Sequence, residues 1–521
     1  MVENFILPRQ NLYTETRLFV SMGVGEECGV VACVLKEDFA ETFNVAEILN
    51  NLLGELQHRG QTSSGIATFS KHNKKLLKTL KEAGKVAHLF KNWDKNYTAQ
   101  KMKEFNGEIG IGHVRYATSN VDDDAFTILE EAQPFLRRHG RPWKRFAIAF
   151  NGHIANYDEL KKELLEEGYI LDTDVDTEVI MHLISLSLKK HLTHTPEGLF
   201  KSFEEVIAKL DGSFNCVFLN ASGDLVVFRD PLGLRPLVIG ENEKFFAVAS
   251  ESKALNKVGI TNFRDVAPGE VVIIKNGEMI CKSLKIDSRC AHCHFEYVYF
   301  SDTCSINDSI LVNDVRKNLG KILGREERLK GRFGEEDWMV VPVPSTSIPA
   351  AVAYSYETNV AFSFSLIKND VGRGFINSTE MRKTIMNAKY SIIPESVRDK
   401  KVILVDDSII RGETCQRVIK LLRDAGASEV HLRVTELPIK FPCFYGVDFP
   451  SYKELIAGDI NGSKEEIEKQ VAQKINADSM GFISFEGLKE SLGGNGDTFC
   501  FACLTGKYPT EKGQELADGL R

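Results

Sequence analysis

Short apolar runs divide the chain into two rhythms. Gly29–Leu35, Ala147–Phe150, Asn215–Leu219 and Glu270–Ile274 are nearly continuous apolar stretches of strand length, the pattern of strands buried on both faces. Amphipathic segments near Ala46–Gln57, Tyr157–Glu167, Asp176–Leu188 and Leu199–Lys209 predict helices. Strands that are apolar on both faces need cover on both, so a layered sheet sandwich with helices outside is expected over residues 28–285. After about residue 305 the rhythm becomes strand–helix alternation. Met339–Val343, Val402–Val405 and Val430–Thr435 read as strands, Pro349–Glu357 and Cys415–Ala425 as helices. That alternation predicts a parallel α/β domain, placed over residues 286–521. Asp370–Arg398 has weak periodicity and two glycines and reads as a mobile loop. No internal repeat or low-complexity tract breaks the pattern.

Composition narrows the class without changing this picture. The chain has 521 residues, 43% hydrophobic and 26% charged, enough for two or three domains with sizeable cores. Its net charge of −8 argues against nucleic-acid binding and leaves small phosphate ligands to local positive sites. No apolar stretch approaches the ~18 residues that a membrane span needs. Residues 1–27 carry Glu3, Glu15, Glu26 and Glu27 and make a poor secretory signal. Eleven scattered cysteines fit reduced thiols in the cytoplasm. Cys33 and Cys216, each inside an apolar run, are expected to be core.

Cys28 stands at the head of Cys-Gly-Val-Val-Ala-Cys, directly after Gly25-Glu26-Glu27. A lone cysteine before an apolar strand is usually filler. Its company suggests more: Gln57-His-Arg-Gly-Gln61, Gly110-Ile-Gly-His-Val-Arg-Tyr116, Phe150-Asn-Gly152 and Asp176-Thr-Glu178. An arginine can take a substrate carboxylate in a bidentate fork. An aspartate can pair with an α-ammonium, and an asparagine amide with a glycine N–H can bind a tetrahedral oxyanion. Taken singly, Asn151-Gly152 reads as a hairpin turn and Asp176 as an acid at a helix start. The set resembles the class II glutamine amidotransferases, N-terminal-nucleophile hydrolases with the cysteine as first residue of the mature chain. The resemblance implies that residues 1–27 are a propeptide and that the Cys28 α-amine is the base. It implies Arg115 for the glutamine carboxylate, Asp176 for its amino group, and Asn151 with Gly152 for the oxyanion. Arg59 and Tyr116 match supporting positions. Arg229-Asp-Pro-Leu-Gly-Leu-Arg-Pro236 and Ala249-Ser-Glu-Ser252 match as scaffold on the interdomain side.

The second half carries Val402-Ile-Leu-Val-Asp-Asp-Ser-Ile-Ile-Arg-Gly-Glu-Thr414. An apolar strand runs into two acids and then a glycine-containing loop that opens a helix, a cradle for a phosphate. No Gly-x4-Gly-Lys-Ser/Thr occurs, which argues against a nucleotide triphosphatase. The string resembles the phosphoribosyl diphosphate signature of type I phosphoribosyltransferases. It implies Ser408, Arg411, Gly412, Glu413 and Thr414 at the 5′-phosphate, and Asp406 and Asp407 at the ribose hydroxyls and Mg²⁺. Lys368 and Thr346 match further ligand positions, Thr346 toward Mg²⁺.

Together, in this order, the halves resemble the glutamine phosphoribosyl diphosphate amidotransferases over residues 28–510. The resemblance implies an N-terminal-nucleophile αββα sandwich followed by a type I phosphoribosyltransferase domain. The implied reaction makes 5-phosphoribosylamine, the committed step of purine synthesis. Homodimers or homotetramers and inhibition by purine nucleotides are implied with it. Two departures stand out. The family's Val-Pro-Asp-Ser is Val343-Pro-Ser-Thr-Ser347 here. The lid reads Lys368-Asn-Asp-Val-Gly-Arg-Gly-Phe375, one residue short, and a later lid arginine is Asn387. An altered lid leaves open an ammonia-dependent enzyme with weak glutamine coupling. A regulatory phosphoribosyl diphosphate-binding protein is the other alternative, but it would have no need of Cys28, Arg115, Asn151 and Asp176.

Cys290-x2-Cys293 and Cys500-x2-Cys503 read first as a four-thiolate zinc site, or as ligands of an iron–sulfur cluster. One branch of the family carries a structural [4Fe–4S] cluster, and its ligand positions are Cys293, Cys443, Cys500 and Cys503 here. That choice makes Cys290 a bystander, and zinc through Cys290 the alternative.

Overall fold

The computed structural model describes residues 28–116, 125–191, 195–284, 289–329, 337–369, 389–449, 451–494 and 496–520. The expected propeptide, Asp370–Phe375 of the lid and Asn387 lie outside the described residues. The first half contains two antiparallel sheets. One runs in the order Phe263–Asp265, Val238–Glu241, Phe245–Ala249, Gly29–Leu35, Ile109–Arg115, Ser63–Phe69, Leu77–Ala83. The other runs Glu278–Ser283, Glu270–Lys275, Leu225–Arg229, Gly212–Asn220, Phe146–Ile154, Phe135–Arg137.

The alternation within each strand explains the layering. In Gly29–Leu35, Val30, Ala32 and Val34 face the second sheet and pack with Ala147, Ala149, Val217 and Leu219. Val31, Cys33 and Leu35 face outward, against Leu49, Leu52 and Leu53 of the helix Val45–Glu55. In the second sheet Phe146, Ile148 and Phe150 meet Val179 and Leu183 of the helix Asp176–Lys190 and Phe203 of the helix Pro196–Ile207. Side chains of period two, apolar on both faces, thus build three apolar layers and an αββα sandwich. Cys33 and Cys216 are fully buried in it.

The second half is a five-stranded parallel sheet in the order Ala361–Phe362, Trp338–Pro342, Lys401–Asp406, Glu429–Val434, Ser479–Phe482. Ile403 and Val405 pack toward the helices Val312–Leu329 and Ile348–Thr358. Val402 and Leu404 pack toward Glu413–Asp424 and Lys464–Ile475. Chain order reverses between Trp338–Pro342 and Lys401–Asp406, so a crevice opens at their carboxyl ends, where open α/β sheets bind ligands. Part of the expected mobile loop is regular: Tyr390–Ile392 pairs with Leu366–Lys368, because Leu366 and Tyr390 are buried there.

The segment between the halves is stitched to both. Ala291 N–H donates to the Leu232 carbonyl (2.8 Å) and Cys293 N–H to that of Leu234 (3.0 Å). Cys293 also pairs in parallel with Cys500. A short π-helix follows, Glu296–Phe300.

Candidate active site

Cys28 precedes the central strand of the first sheet, and its Sγ lies 3.8 Å from the Tyr116 carbonyl oxygen. Burial pushes the thiol up, while the Tyr116 backbone and the charges of Arg115 and Arg59 pull it down. Arg115 ends the neighbouring strand. One side of its buried guanidinium pairs with Glu131, and Nη1 has no partner among the described residues. A buried N–H without an acceptor is costly unless a ligand supplies one. Asn151 and Gly152 sit inside the strand Phe146–Ile154, so the hairpin-turn reading fails. Asn151 Nδ2 lies 3.4 Å from Ser250 Oγ, which also accepts the Val30 N–H at 3.0 Å. One hydroxyl thus ties the Asn151 amide to the strand that follows Cys28. Gly152 has φ +152°, and a Cβ there would stand 2.0 Å from the Ser213 carbonyl oxygen. Only glycine fits. Asp176 starts its helix, and its Oδ2 accepts the Ile154 N–H at 2.9 Å.

Arg59 lies directly behind Cys28. It is fully buried; Nε donates to the Cys28 carbonyl (3.1 Å), Nη1 to Glu251 (2.6 Å) and Nη2 to Glu296 (2.7 Å). It anchors the Cys28 backbone to Glu251 and Glu296. Arg235 also reaches Glu296 (3.4 Å), and Arg229 pairs with Asp308 (2.8 Å). Both matched scaffold strings therefore do face the second half.

A cavity of about 380 Å³ opens at the crevice of the parallel sheet. Thr346, Lys368, Asp406, Asp407 and the whole loop Ser408–Thr414 line it, and so do His58 and Arg59 from the first half. Gly412 has φ +84° and caps the helix Glu413–Asp424, which turns the loop toward the helix start. Asp406 and Asp407 are both buried, and both carboxyls are pushed up by desolvation; their mutual charge raises Asp406 further. Asp407 Oδ2 has no hydrogen-bond partner among the described residues. Thr346 and the buried Arg316 face Asp407 and pull it down. Two acids with too little positive charge between them fit a divalent cation, with Thr346 beside them. Arg411 lines the cavity, and its guanidinium also holds Glu454 and the Asp448 carbonyl. Glu413 is exposed on the helix's first turn.

A glutamine amidotransferase domain model matches residues 123–257, and a phosphoribosyl transferase domain model matches residues 308–435. The amidophosphoribosyltransferase of Methanothermobacter thermautotrophicus is 37% identical over 502 residues, 95% of this chain and 97% of that protein. That of Bacillus subtilis is 37% identical over 495 residues, 94% of this chain and 95% of its own. The human enzyme is 33% identical over 541 residues, 94% of this chain and 98% of its own. The chain belongs to the amidophosphoribosyltransferase family. The B. subtilis glutamine phosphoribosylpyrophosphate amidotransferase, solved with ADP and GMP, superimposes with a TM-score of 0.79 at 35% identity, covering 93% of this chain and 98% of that one. The activity is that of the family, transfer of the glutamine amide nitrogen to phosphoribosyl diphosphate at the first step of purine biosynthesis.

Amidophosphoribosyltransferase chemistry accounts for two sites, and the structure adds a third cluster. Cys293, Cys443, Cys500 and Cys503 line one cavity; Cys290 is not among its lining residues. No three His, Cys, Asp or Glu among the described residues are spaced to hold a single metal ion. Burial pushes all four thiols up, Cys500 to about 12, and their neighbours' charges raise Cys293, Cys500 and Cys503 further. Tyr445 N–H donates to Cys443 Sγ at 3.3 Å. Four thiols thus border one void, with a backbone donor on the Cys443 sulfur.

Glu131 and Arg316 left no signal in the sequence: Glu131 enters through Arg115, 16 positions away, and Arg316 through Asp407 across the crevice. Ser250 and Glu251 were legible only as part of a matched string; their partners Val30 and Arg59 lie 220 and 192 positions away.

No helix among the described residues is long and apolar enough to cross a membrane.

Proposed function

We propose that cleavage after Glu27 frees the Cys28 α-amine, and that this amine is the glutaminase base. With an ordinary pKa of about 7.7–8.0, it takes the thiol proton near neutral pH. The thiolate attacks the glutamine amide carbon, and Asn151 Nδ2 and the Gly152 N–H receive the oxyanion. The protonated amine returns its proton to the leaving ammonia, and water then releases glutamate from the thioester. Arg115 Nη1 takes the substrate carboxylate and Asp176 its α-ammonium; Tyr116 shapes the pocket floor through its carbonyl.

In the second site the Ser408–Thr414 loop holds the 5′-phosphate and Asp406 and Asp407 the ribose hydroxyls. Lys368 reaches the diphosphate, and Arg411 and Glu413 belong to the same binding loop. Asp406, Asp407 and Thr346 would hold Mg²⁺, which when bound neutralises the departing pyrophosphate. The protein's own task is to align C1 and exclude water. Cys293, Cys443, Cys500 and Cys503 would hold a structural [4Fe–4S] cluster. We place the protein in the cytoplasm, as a homodimer or homotetramer that binds purine nucleotides as inhibitors. The B. subtilis complex with ADP and GMP supports the nucleotide reading.

The observation that carries the coupled reaction is His58-Arg59. These residues line the phosphoribosyl cavity while Arg59 holds the Cys28 carbonyl. Ammonia then has a short path past them. The test is N-terminal sequencing, with glutamate and pyrophosphate release assayed with and without each substrate. Glutaminase stimulated by phosphoribosyl diphosphate in a Cys28-first chain is expected. Full glutaminase activity with Met1 intact overturns the mechanism. Iron and acid-labile sulfide are expected to be lost in Cys443→Ser; a full metal load there removes the cluster assignment.

A further inference from the structure

Asp176 has a second partner. His153, next after the Asn151-Gly152 pair, places Nδ1 3.0 Å from Asp176 Oδ2. Its backbone is fixed: the His153 N–H donates to Ser213 Oγ (3.2 Å), and that hydroxyl donates to the Tyr445 carbonyl (2.7 Å). The His153 Cβ stands 3.4 Å from where a Cβ on Gly446 would lie. The imidazole is thus held between the carboxylate and the Cys443–Phe449 segment, partly open to solvent.

We propose that His153 is a positioning residue for glutamine, and that its protonation state sets how much of the Asp176 charge is available to the substrate's α-ammonium. The proposal rests on the reading of Asp176 as the ammonium site. Neutral His153 donates Nδ1–H to Oδ2 and leaves the full negative charge on Asp176. Protonated His153 forms a neutral pair with it and adds a cation beside the incoming ammonium. Proton and glutamine therefore bind antagonistically, by the same factor in each direction.

The charged groups around the ring are few. Asp176 faces it from its own helix and Asp158 from the helix Tyr157–Glu166. The Cys443–Phe449 segment brings Gly446 and the Tyr445 carbonyl, and Arg235 donates to that same carbonyl. Desolvation pushes the imidazole down, but Asp176 and Asp158 outweigh it and hold the group above its ordinary 6.5. The ring therefore stays protonated to a higher pH than an ordinary imidazole.

The test measures KM and kcat for glutamine between about pH 6 and pH 8.5 in the wild-type enzyme and in His153→Asn. Ammonia-dependent synthesis serves as the folding control, and His153→Gln is the second variant if His153→Asn does not fold. Wild-type KM is expected to rise roughly 5-fold or more on acidification, the lower end of typical couplings. The variant's KM should stay flat, while its kcat profile follows the wild type. Glutaramate keeps the amide and carboxylate but has no α-ammonium, so its inhibition constant should not show the acid rise. A variant KM that still rises as in the wild type overturns the proposal. Asp176→Asn separates the two readings. An unchanged KM there removes the ammonium site and this proposal with it, whereas a raised KM beside a pH-dependent His153→Asn removes the His153 role alone.

Discussion

Cys28 depends on neighbours drawn from across the first half. Tyr116 offers its carbonyl, Arg59 holds the Cys28 carbonyl, and Ser250 ties its strand to Asn151. Cys28 is not among the residues that line the phosphoribosyl cavity, so the two chemistries should separate at this residue. Cys28→Ala is expected to abolish glutamine-dependent synthesis and leave ammonia-dependent synthesis near wild type, read as pyrophosphate release with each nitrogen donor. Loss of both activities would show that Cys28 also supports the fold. The sequence pointed to Cys28, Arg115, Asn151-Gly152 and Asp176 through their residue types, and the fold brings them to neighbouring strand and helix ends. The free Nη1 of Arg115 and the histidine on Asp176 were not legible, since each is a relation between residues and not a property of one.

Elements were legible wherever burial on two faces wrote the same pattern into the sequence. Gly29–Leu35 was expected and is observed with those bounds; Ala147–Phe150 and Asn215–Leu219 extend to Phe146–Ile154 and Gly212–Asn220. The extensions carry Asn151 and Gly152, polar or small residues that continue a strand only because Gly212–Asn220 pairs along the full length. The helices Val312–Leu329 and Ile348–Thr358 pack closely through Gly320, where a Cβ would stand 1.9 Å from the Ala350 carbonyl oxygen. Backbone cannot yield as a side-chain tip does. Gly320→Ala is therefore expected to destabilise the second half by about 1–3 kcal/mol despite its better helix propensity. Urea unfolding would show this as a lower midpoint at unchanged slope.

At the scale of the molecule, the halves meet through buried charge. Glu296 pairs with Arg59 and Arg235, and all three side chains are at most 2% exposed. Glu296→Ala leaves two buried guanidinium groups short of a partner and should cost about 3–5 kcal/mol. The same variant should weaken stimulation of glutaminase by phosphoribosyl diphosphate, measured as the ratio of glutamate release with and without it; an unchanged ratio would show that the acid only holds the halves together. His113 bridges the two sheets of the first half, its Nε2 lying 3.0 Å from the Phe150 carbonyl. Burial above all, with the Arg115 and Lys81 charges, lowers it from 6.5 to about 3. Its folded pKa lies below its unfolded one, so the neutral ring's contribution is complete above 6.5 and is lost as pH falls toward 3. Stability should decline below pH 6.5 with a slope from this group of up to about 1.4 kcal/mol per pH unit. His113→Gln should remove that part of the slope, seen in urea midpoints at neutral and mildly acidic pH.

The sequence alone determined the two-domain architecture, most of the strand and helix pattern, and the family chemistry. Those features are written in local periodicity and in short strings whose spacing the chemistry requires. Tertiary structure decided what the residues do to one another: Arg59 as an anchor between the halves, Arg411 set on Glu454, His153 set on Asp176, and four cysteines around one cavity. The reason is physical. Charge, desolvation and hydrogen bonding act over a few ångströms of space, and the chain brings together at that distance residues that lie tens to hundreds of positions apart.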